Sequence, residues 1–140
     1  SRKVIPHLVN QRSGSIVNMS STAGLMGFPN RAPYAAAKWA IIGLTKTMAM
    51  ELGEFGVRVN AVCPGSVANE RMDRVVELEA DASGRSAAEI RRGFTNAVSL
   101  QTFVDPADIA AMIRFVCSPA GARISGQALT VDGHTESARS

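Results

Sequence analysis

Two short, almost wholly apolar runs, Ile16 to Met19 and Val57 to Cys63, constrain this chain more than any other feature. Runs of that length and character read as strands covered on both faces. A helical pattern fills the interval between them, and strand–helix–strand alternation implies parallel pairing in a layered α/β architecture. Asn30 stands where it can cap that helix, Pro33 suits its first turn, and Gly53 and Gly56 supply stop signals near Glu54. Ile41, Leu44, Met48 and Leu52 recur at helical spacing and are expected to face the sheet. Ala36, Ala40, Gly43 and Thr47 form a second row of small residues, so this helix is expected to be buried on two sides, by itself a sign of an intrachain helix packed over it.

The same helix carries Tyr34-Ala35-Ala36-Ala37-Lys38, and Ser21 lies thirteen positions before Tyr34 in Ser20-Ser21-Thr22-Ala23-Gly24. Residues four apart share a helical face one turn apart. A phenol ionises near pH ~10 and is a poor acid or base at neutral pH. A nearby ammonium stabilises the phenolate and brings such a group into the range where general acid–base catalysis is efficient. A serine hydroxyl beside it can donate to a carbonyl oxygen on its way to alkoxide. The three groups suit reversible proton transfer at a C–O centre during hydride transfer. Standing alone, Tyr-x-x-x-Lys is common by chance and reads as an aromatic and a charge on an ordinary helix.

Three further segments accompany the trio: Gly14-Ser15-Ile16-Val17-Asn18-Met19 leading into the serine, Arg58-Val59-Asn60-Ala61-Val62-Cys63-Pro64-Gly65, and Ile124 through Gly133. With them the chain resembles the short-chain dehydrogenase/reductase family over essentially its whole length. The resemblance implies Ser21, Tyr34 and Lys38 as catalytic residues. It implies a nicotinamide dinucleotide, NAD or NADP, against Met19, Tyr34, Lys38, Pro64, Gly65 and Val67. It also implies the C-terminal part of a doubly wound parallel-sheet (Rossmann-like) fold, about three strands with flanking helices, and a homo-oligomer, dimer or tetramer, formed through the 34–54 helix.

The family's catalytic domain is longer than 140 residues. Its Gly-rich pyrophosphate turn has no counterpart here: the glycines fall in no G-x-G-x-x-G arrangement after a strand. The family's Asn-Asn-Ala-Gly segment, its fourth catalytic residue and its ribose selector are likewise absent, so NAD and NADP are not distinguished. Ser1 to Gln11 reads like the back half of a helix. The expectation is a single partial domain over residues 1–140, the catalytic and substrate-binding part of a dinucleotide-binding fold.

Composition fits an enzyme domain: 46% apolar, 19% charged, a net charge of +3, and no run long enough to span a bilayer. The arginines are scattered without the basic stripe and stacking aromatics of a nucleic-acid surface, so neither nucleic acid nor membrane is expected as a partner. Cys63 and Cys117 make no disulfide framework and read as buried thiols in a reducing, cytoplasmic setting. With His7 and His134 they are too few for a metal site.

Glu70 to Arg92 differs, holding 11 charged residues in 23 against 27 in the whole 140. Met72, Val75, Val76 and Leu78 give it one amphipathic helix, and Ser86-Ala87-Ala88-Glu89 reads as a capping box opening another. By itself this is a surface helical hairpin. Its place after Pro64-Gly65 and the family resemblance imply a substrate lid over residues 69–98. A last helix opens at Asp105-Pro106, running through Ile109, Met112, Ile113 and Val116, and Thr135 to Ser140 reads as a polar tail.

Some positions depart from the family. Asn69 stands where a threonine often helps hold the nicotinamide and its phosphate, and asparagine retains a donor and an acceptor. His134 replaces a common glycine and is assigned no role. Glu54-Phe55 stand where acyl-carrier-protein reductases often carry a basic residue, which makes a ketoacyl-carrier reductase less attractive. Two other classes remain: a non-catalytic oligomerisation module, and a hydrolase using Ser21 with Lys38, which would want the strained G-x-S-x-G turn the chain lacks.

Overall fold

The computed structural model describes residues 3–135; the readings placed on Ser1, Arg2 and the tail from Glu136 lie outside the described residues. Three strands, β1 (Gly14–Met19), β2 (Val57–Pro64) and β3 (Ala128–Val131), form one sheet in the order β1-β2-β3. Both pairings are parallel, Gly14 to Met19 against Val57 to Val62 and Ala61 to Pro64 against Ala128 to Val131. β2 lies in the middle, and Val57, Val59, Ala61, Val62 and Cys63 are buried along it. Continuous burial of β-branched residues is what a parallel strand covered on both faces requires. Among the described residues β1 has a partner on one side only.

β3 is shorter than the expected Ile124–Gly133 stretch, because the backbone before it is used by side chains of β2. Asn60 Nδ2 donates to Ile124 O at 2.8 Å, and Asn60 Oδ1 accepts from Gln127 N at 3.0 Å. Arg58 donates to Val116 O at 2.6 Å and Gly121 O at 2.9 Å. A buried amide bonded in both directions avoids the cost of an unsatisfied polar group, and here it joins the loop before β3 to β2 beside the backbone bonds Gly126 N to Val59 O and Ala61 N to Gln127 O.

Five α-helices flank the sheet: α1 (Ile5–Gln11), α2 (Ala32–Leu52), α3 (Glu70–Ser83), α4 (Ala87–Asn96) and α5 (Pro106–Cys117). α2 starts with Pro33 in its first turn, as its sequence predicts, but Asn30 does not cap it. Asn30 takes a left-handed conformation (φ 61°), and Arg31 holds the capping position without a side-chain hydrogen bond. The helix ends at Leu52, followed by a 3-10 turn, Gly53–Phe55, and by Gly56 at φ 71°. A Cβ on Gly56 would lie 2.5 Å from Arg12 O, so glycine is required there by space as well as by backbone.

The buried face of α2 is Ile42, Thr45, Met48 and Leu52. Leu44, expected against the sheet, is 53% exposed. Thr45 takes the inward position because its hydroxyl is satisfied there, accepting from Asn18 Nδ2 at 2.9 Å and donating to Ile41 O at 2.8 Å. The row of Ala36, Ala40, Gly43 and Thr47 is exposed, together with Trp39 and Met50.

The core lies between α2 and the sheet. Met48, Leu52, Val57 and Val59 pack with Ile5, Leu8 and Ile16, while Ile42, Ala61 and Cys63 pack with Leu25 and Ala128. Each such side chain contributes about 1.5–3 kcal/mol when fully buried. α4 opens on the expected capping box, with Ser86 N and Oγ both donating to Glu89 Oε2. α5 opens on a second one, Asp105 with Asp108. Val116 is buried at the end of α5, and Cys117, one residue on, is exposed instead of buried as expected. A step of ~100° along the helix carries it off the core face. Among the described residues no helix is long and apolar enough to cross a membrane.

Candidate active site

The C-terminal ends of β1 and β2 and the first turns of α2 converge on one cleft of about 600 Å3. Backbone bonding brings them together: Ser20 N donates to Val62 O at 2.8 Å, extending β1 against β2 by one residue. Ser20 Oγ then donates to Lys38 O at 2.9 Å, tying the strand end to α2. Gly24 makes the approach possible, since a Cβ there would lie 2.8 Å from Lys38 O. Cys63 sits buried beneath this corner. Burial pushes its thiol up, against hydrogen bonds from Ser20 and Ser21 that pull it down.

Ser21 follows in extended conformation and caps a 3-10 turn, Thr22–Gly24, its Oγ accepting from Ala23 N at 3.2 Å. A hydroxyl that accepts one N–H keeps its own hydrogen free to donate. Lys38 Nζ donates to Met19 O at 3.1 Å and lies 5.6 Å from the centroid of the Tyr34 ring. Its ammonium is thus held beside the phenol by a strand carbonyl, with two of its three N–H donors remaining. No hydrogen bond joins Lys38 to Ser21 among the described residues, a pairing a Ser-Lys hydrolase would need.

Ser21, Tyr34 and Lys38 all line the cleft, as do Pro64, Gly65 and Val67. Met19 is not among its lining residues and enters through its carbonyl alone. Gly65 packs on Asp132, where an added Cβ would lie 2.8 Å from the Asp132 Cβ. Asp132 in turn accepts from His134 N at 3.1 Å, and the His134 ring lies 2.6 Å from Ser99 Oγ. Asn69 caps α3, its Oδ1 accepting from Met72 N at 2.9 Å.

Sequence reasoning included the α3–α4 side of the wall in its expected 69–98 lid but missed the side ahead of α2. Phe28, Pro29, Asn30 and Arg31 line the cleft between the serine turn and α2. Arg71, Met72, Val75 and Glu79 of α3 and Phe94 of α4 close another side. The Gly27-Phe28-Pro29-Asn30 loop directly after a strand's C-terminal end was the available signal, because open α/β sheets bind ligands there. The α3–α4 hairpin is anchored at both ends: Val104 N donates to Ser66 O and Ala68 N to Val104 O, both at 2.9 Å, and Leu100 N donates to Gly133 O at 3.1 Å.

The donor set and the position at the strand ends fit the nicotinamide and ribose end of a dinucleotide. A seat for the pyrophosphate would need a Gly-rich turn between strand and helix, and none occurs among the described residues.

The chain is similar to known proteins in sequence and in fold. The family profile described as enoyl-(acyl carrier protein) reductase matches residues 1–134. A 3-oxoacyl-(acyl-carrier-protein) reductase of Thermotoga maritima is 35% identical over 133 residues, covering 95% of this chain and 50% of the relative. The trans-4-hydroxycyclohexanecarboxylate dehydrogenase of Sinomonas cyclohexanicum is 42% identical over 120 residues, covering 86% and 40%. An actinorhodin polyketide ketoreductase solved with NADPH superposes with a TM-score of 0.84 at 36% identity, covering 90% of this chain and 48% of that one. NAD-bound xylitol dehydrogenase superposes at 0.87 with 30% identity, covering 95% and 53%. The chain spans about half the length of the curated relatives it matches. The Rossmann-like parallel sheet, the Ser-Tyr-Lys cleft at its strand ends and a match along nearly every residue lead to one assignment: the chain belongs to the short-chain dehydrogenase/reductase family.

Proposed function

We infer that this chain is the catalytic and substrate-binding part of an oxidoreductase that interconverts a secondary alcohol and a ketone, with NAD or NADP as hydride partner. The observation that supports it is the convergence of Ser21, Tyr34 and Lys38 on one cleft at the ends of β1 and β2. The relatives named above are reductases and dehydrogenases, and structures of two neighbours carry NADPH and NAD. A bound nicotinamide supplies the hydride in reduction and takes it in oxidation. Ser21 donates its free hydroxyl hydrogen to the substrate oxygen and orients it. Tyr34 gives that oxygen a proton in reduction and removes it in oxidation. Lys38, braced on Met19 O, stabilises the phenolate that Tyr34 becomes and offers its remaining N–H donors to ribose hydroxyls. Pro64, Gly65 and Val67 form the backbone wall for the nicotinamide, and Asn69, committed to the cap of α3, acts on that wall through its backbone position.

The rest of the reading concerns the surroundings. Residues 69–98 act as a substrate lid hinged at the anchored ends of the α3–α4 hairpin. The pyrophosphate seat comes from a mononucleotide-binding half that pairs with the open edge of β1. The exposed apolar face of α2 joins like chains into a dimer or tetramer. The free thiols of Cys63 and Cys117 fit a cytoplasmic enzyme.

Tyr34→Phe keeps the ring and removes only the hydroxyl. In the holoenzyme it is expected to lower turnover by ~10²-fold or more with cofactor affinity nearly unchanged, read by steady-state kinetics and cofactor titration. Unchanged turnover refutes the assignment and favours the non-catalytic oligomerisation module.

A further inference from the structure

The cleft holds charge that the proton-transfer chemistry does not use. Three cations line it, Arg31, Lys38 and Arg71, against one carboxylate, Glu79. Lys38 is engaged at Met19 O. The guanidiniums of Arg31 and Arg71 make no hydrogen bond or ion pair among the described residues. Two other arginines of the hairpin that carries Arg71 do: Arg74 pairs with Glu70 and Arg91 with Asp73. Arg71 stands between these paired residues, in the first turn of α3, and faces the cleft instead. Arg31 sits at the N-terminal boundary of α2, one turn ahead of Tyr34, and both line the cleft. Glu79 is about two turns further along α3 than Arg71, on the same face. Between the charges the wall is apolar, formed by Phe28, Met72, Val75 and Phe94. A cavity with apolar walls and a few charged groups selects a compact apolar body carrying an opposite charge. Guanidinium groups bind carboxylates with a planar fork of donors, and left unpaired in a cleft they supply that recognition.

We propose that Arg31 and Arg71 are specificity residues that hold the carboxylate of the substrate, a hydroxy or oxo acid whose apolar body rests on Met72, Val75 and Phe94. The proposal deepens the oxidoreductase reading and rests on it. The other source of negative charge at this end of the cleft is a phosphate of the dinucleotide, and the test separates the two.

Calorimetric titration of the cofactor-loaded enzyme with cyclohexanecarboxylate and with the uncharged, isosteric cyclohexanecarboxamide reads the charge preference without needing turnover. The carboxylate is expected to bind ~10-fold or more tightly than the amide, with the preference shrinking as salt is added. Arg71→Gln and Arg31→Gln, both at exposed positions, should each remove most of that preference while changing amide binding by less than ~2-fold. Arg71→Lys keeps the charge without the fork and should retain part of it. Equal binding of acid and amide by the wild type overturns the proposal. So does a loss shared equally by both ligands, or a change confined to cofactor affinity, which would assign the arginines to the phosphate. If Tyr34→Phe abolishes turnover and the acid-to-amide ratio still fails to move in the arginine variants, only the arginine assignment falls. If Tyr34→Phe leaves turnover intact, the oxidoreductase reading itself has failed.

Discussion

Burial pushes the Cys63 thiol above its ordinary range, and the hydrogen bonds from Ser20 and Ser21 only partly offset that. Cys117, at the exposed end of α5, has its Sγ 3.7 Å from Ser15 Oγ and no cover over it. Thiolate is the reactive form, so the two should separate cleanly under alkylation. At pH 8, iodoacetamide is expected to label Cys117 in the folded protein and Cys63 only after denaturation, with mass spectrometry counting the adducts. Because the folded value at Cys63 is the raised one, the fold holds its proton more tightly than the unfolded chain. The associated stability is present below the unfolded thiol value and is lost as pH rises through the folded one. Early labelling of Cys63 would mean that the Ser20–Ser21 corner opens in solution. At this scale Ser21, Tyr34 and Lys38 were legible because their relation is local: a strand end, a turn and one helical step. Phe28 and Arg31 were not, because their place is in a cleft assembled from elements far apart in sequence. The Cys117 reading failed for a related reason. Adjacent helical positions differ by ~100°, and an apolar stretch does not say which of two neighbours turns inward.

The α3–α4 hairpin shows how much of an element is written in its first turn. The Ser86–Glu89 box was legible because its four residues satisfy one another, independent of tertiary context. Hydrogen bonding from the Ser86 hydroxyl, and then from its backbone N–H, holds the Glu89 carboxyl below its ordinary range. A depressed carboxylate contributes stability above its unfolded value and loses it as pH falls through the folded one. Protection of the amides from Ala87 to Asn96, measured by hydrogen exchange, is therefore expected to drop as the pH is lowered through the acidic carboxylate range. Glu89→Gln keeps an acceptor and cannot titrate, so its protection should be lower at neutral pH and nearly flat across the same range. A titration of α4 that survives in the Gln variant would point to a different group. α2 was legible in type and extent but not in rotation. The choice between Leu44 and Thr45 for the core face turned on the bond from Asn18 Nδ2, which no helical periodicity within α2 records. Polar residues that find partners across an element boundary shift an apolar stripe in this way.

At the scale of the molecule, α/β alternation and parallel pairing followed from the order of apolar runs. The boundaries of β3 did not, because Arg58 and Asn60 both donate to Ile124 O, in the backbone ahead of it. Among the described residues the edges of β1 and β3 have no partner strand, and the outer face of α2 is uncovered. On that face Trp39 is 51% exposed, Leu44 53% and Met50 85%, more apolar surface than one helix of a monomer usually offers to water. Small residues between them, Ala36, Ala40 and Gly43, leave room for a second backbone to approach. Gly43 gives the sharpest test. A Cβ there would meet nothing within 4 Å in this chain, and replacing a mid-helix glycine favours the helix by roughly 0.5–1 kcal/mol. Gly43→Leu is therefore expected to leave the single chain's fold intact, while its bulk blocks a partner helix. Size-exclusion chromatography with light scattering should show the wild type as a dimer or tetramer and the variant shifted to smaller species. Trp39 is the chain's one tryptophan, so its emission reports the same face: it should shift to the red in Gly43→Leu, as on dilution of the wild type. If the variant assembles as the wild type does, with unchanged Trp39 emission, the helix that carries Tyr34 and Lys38 is not where the chains meet.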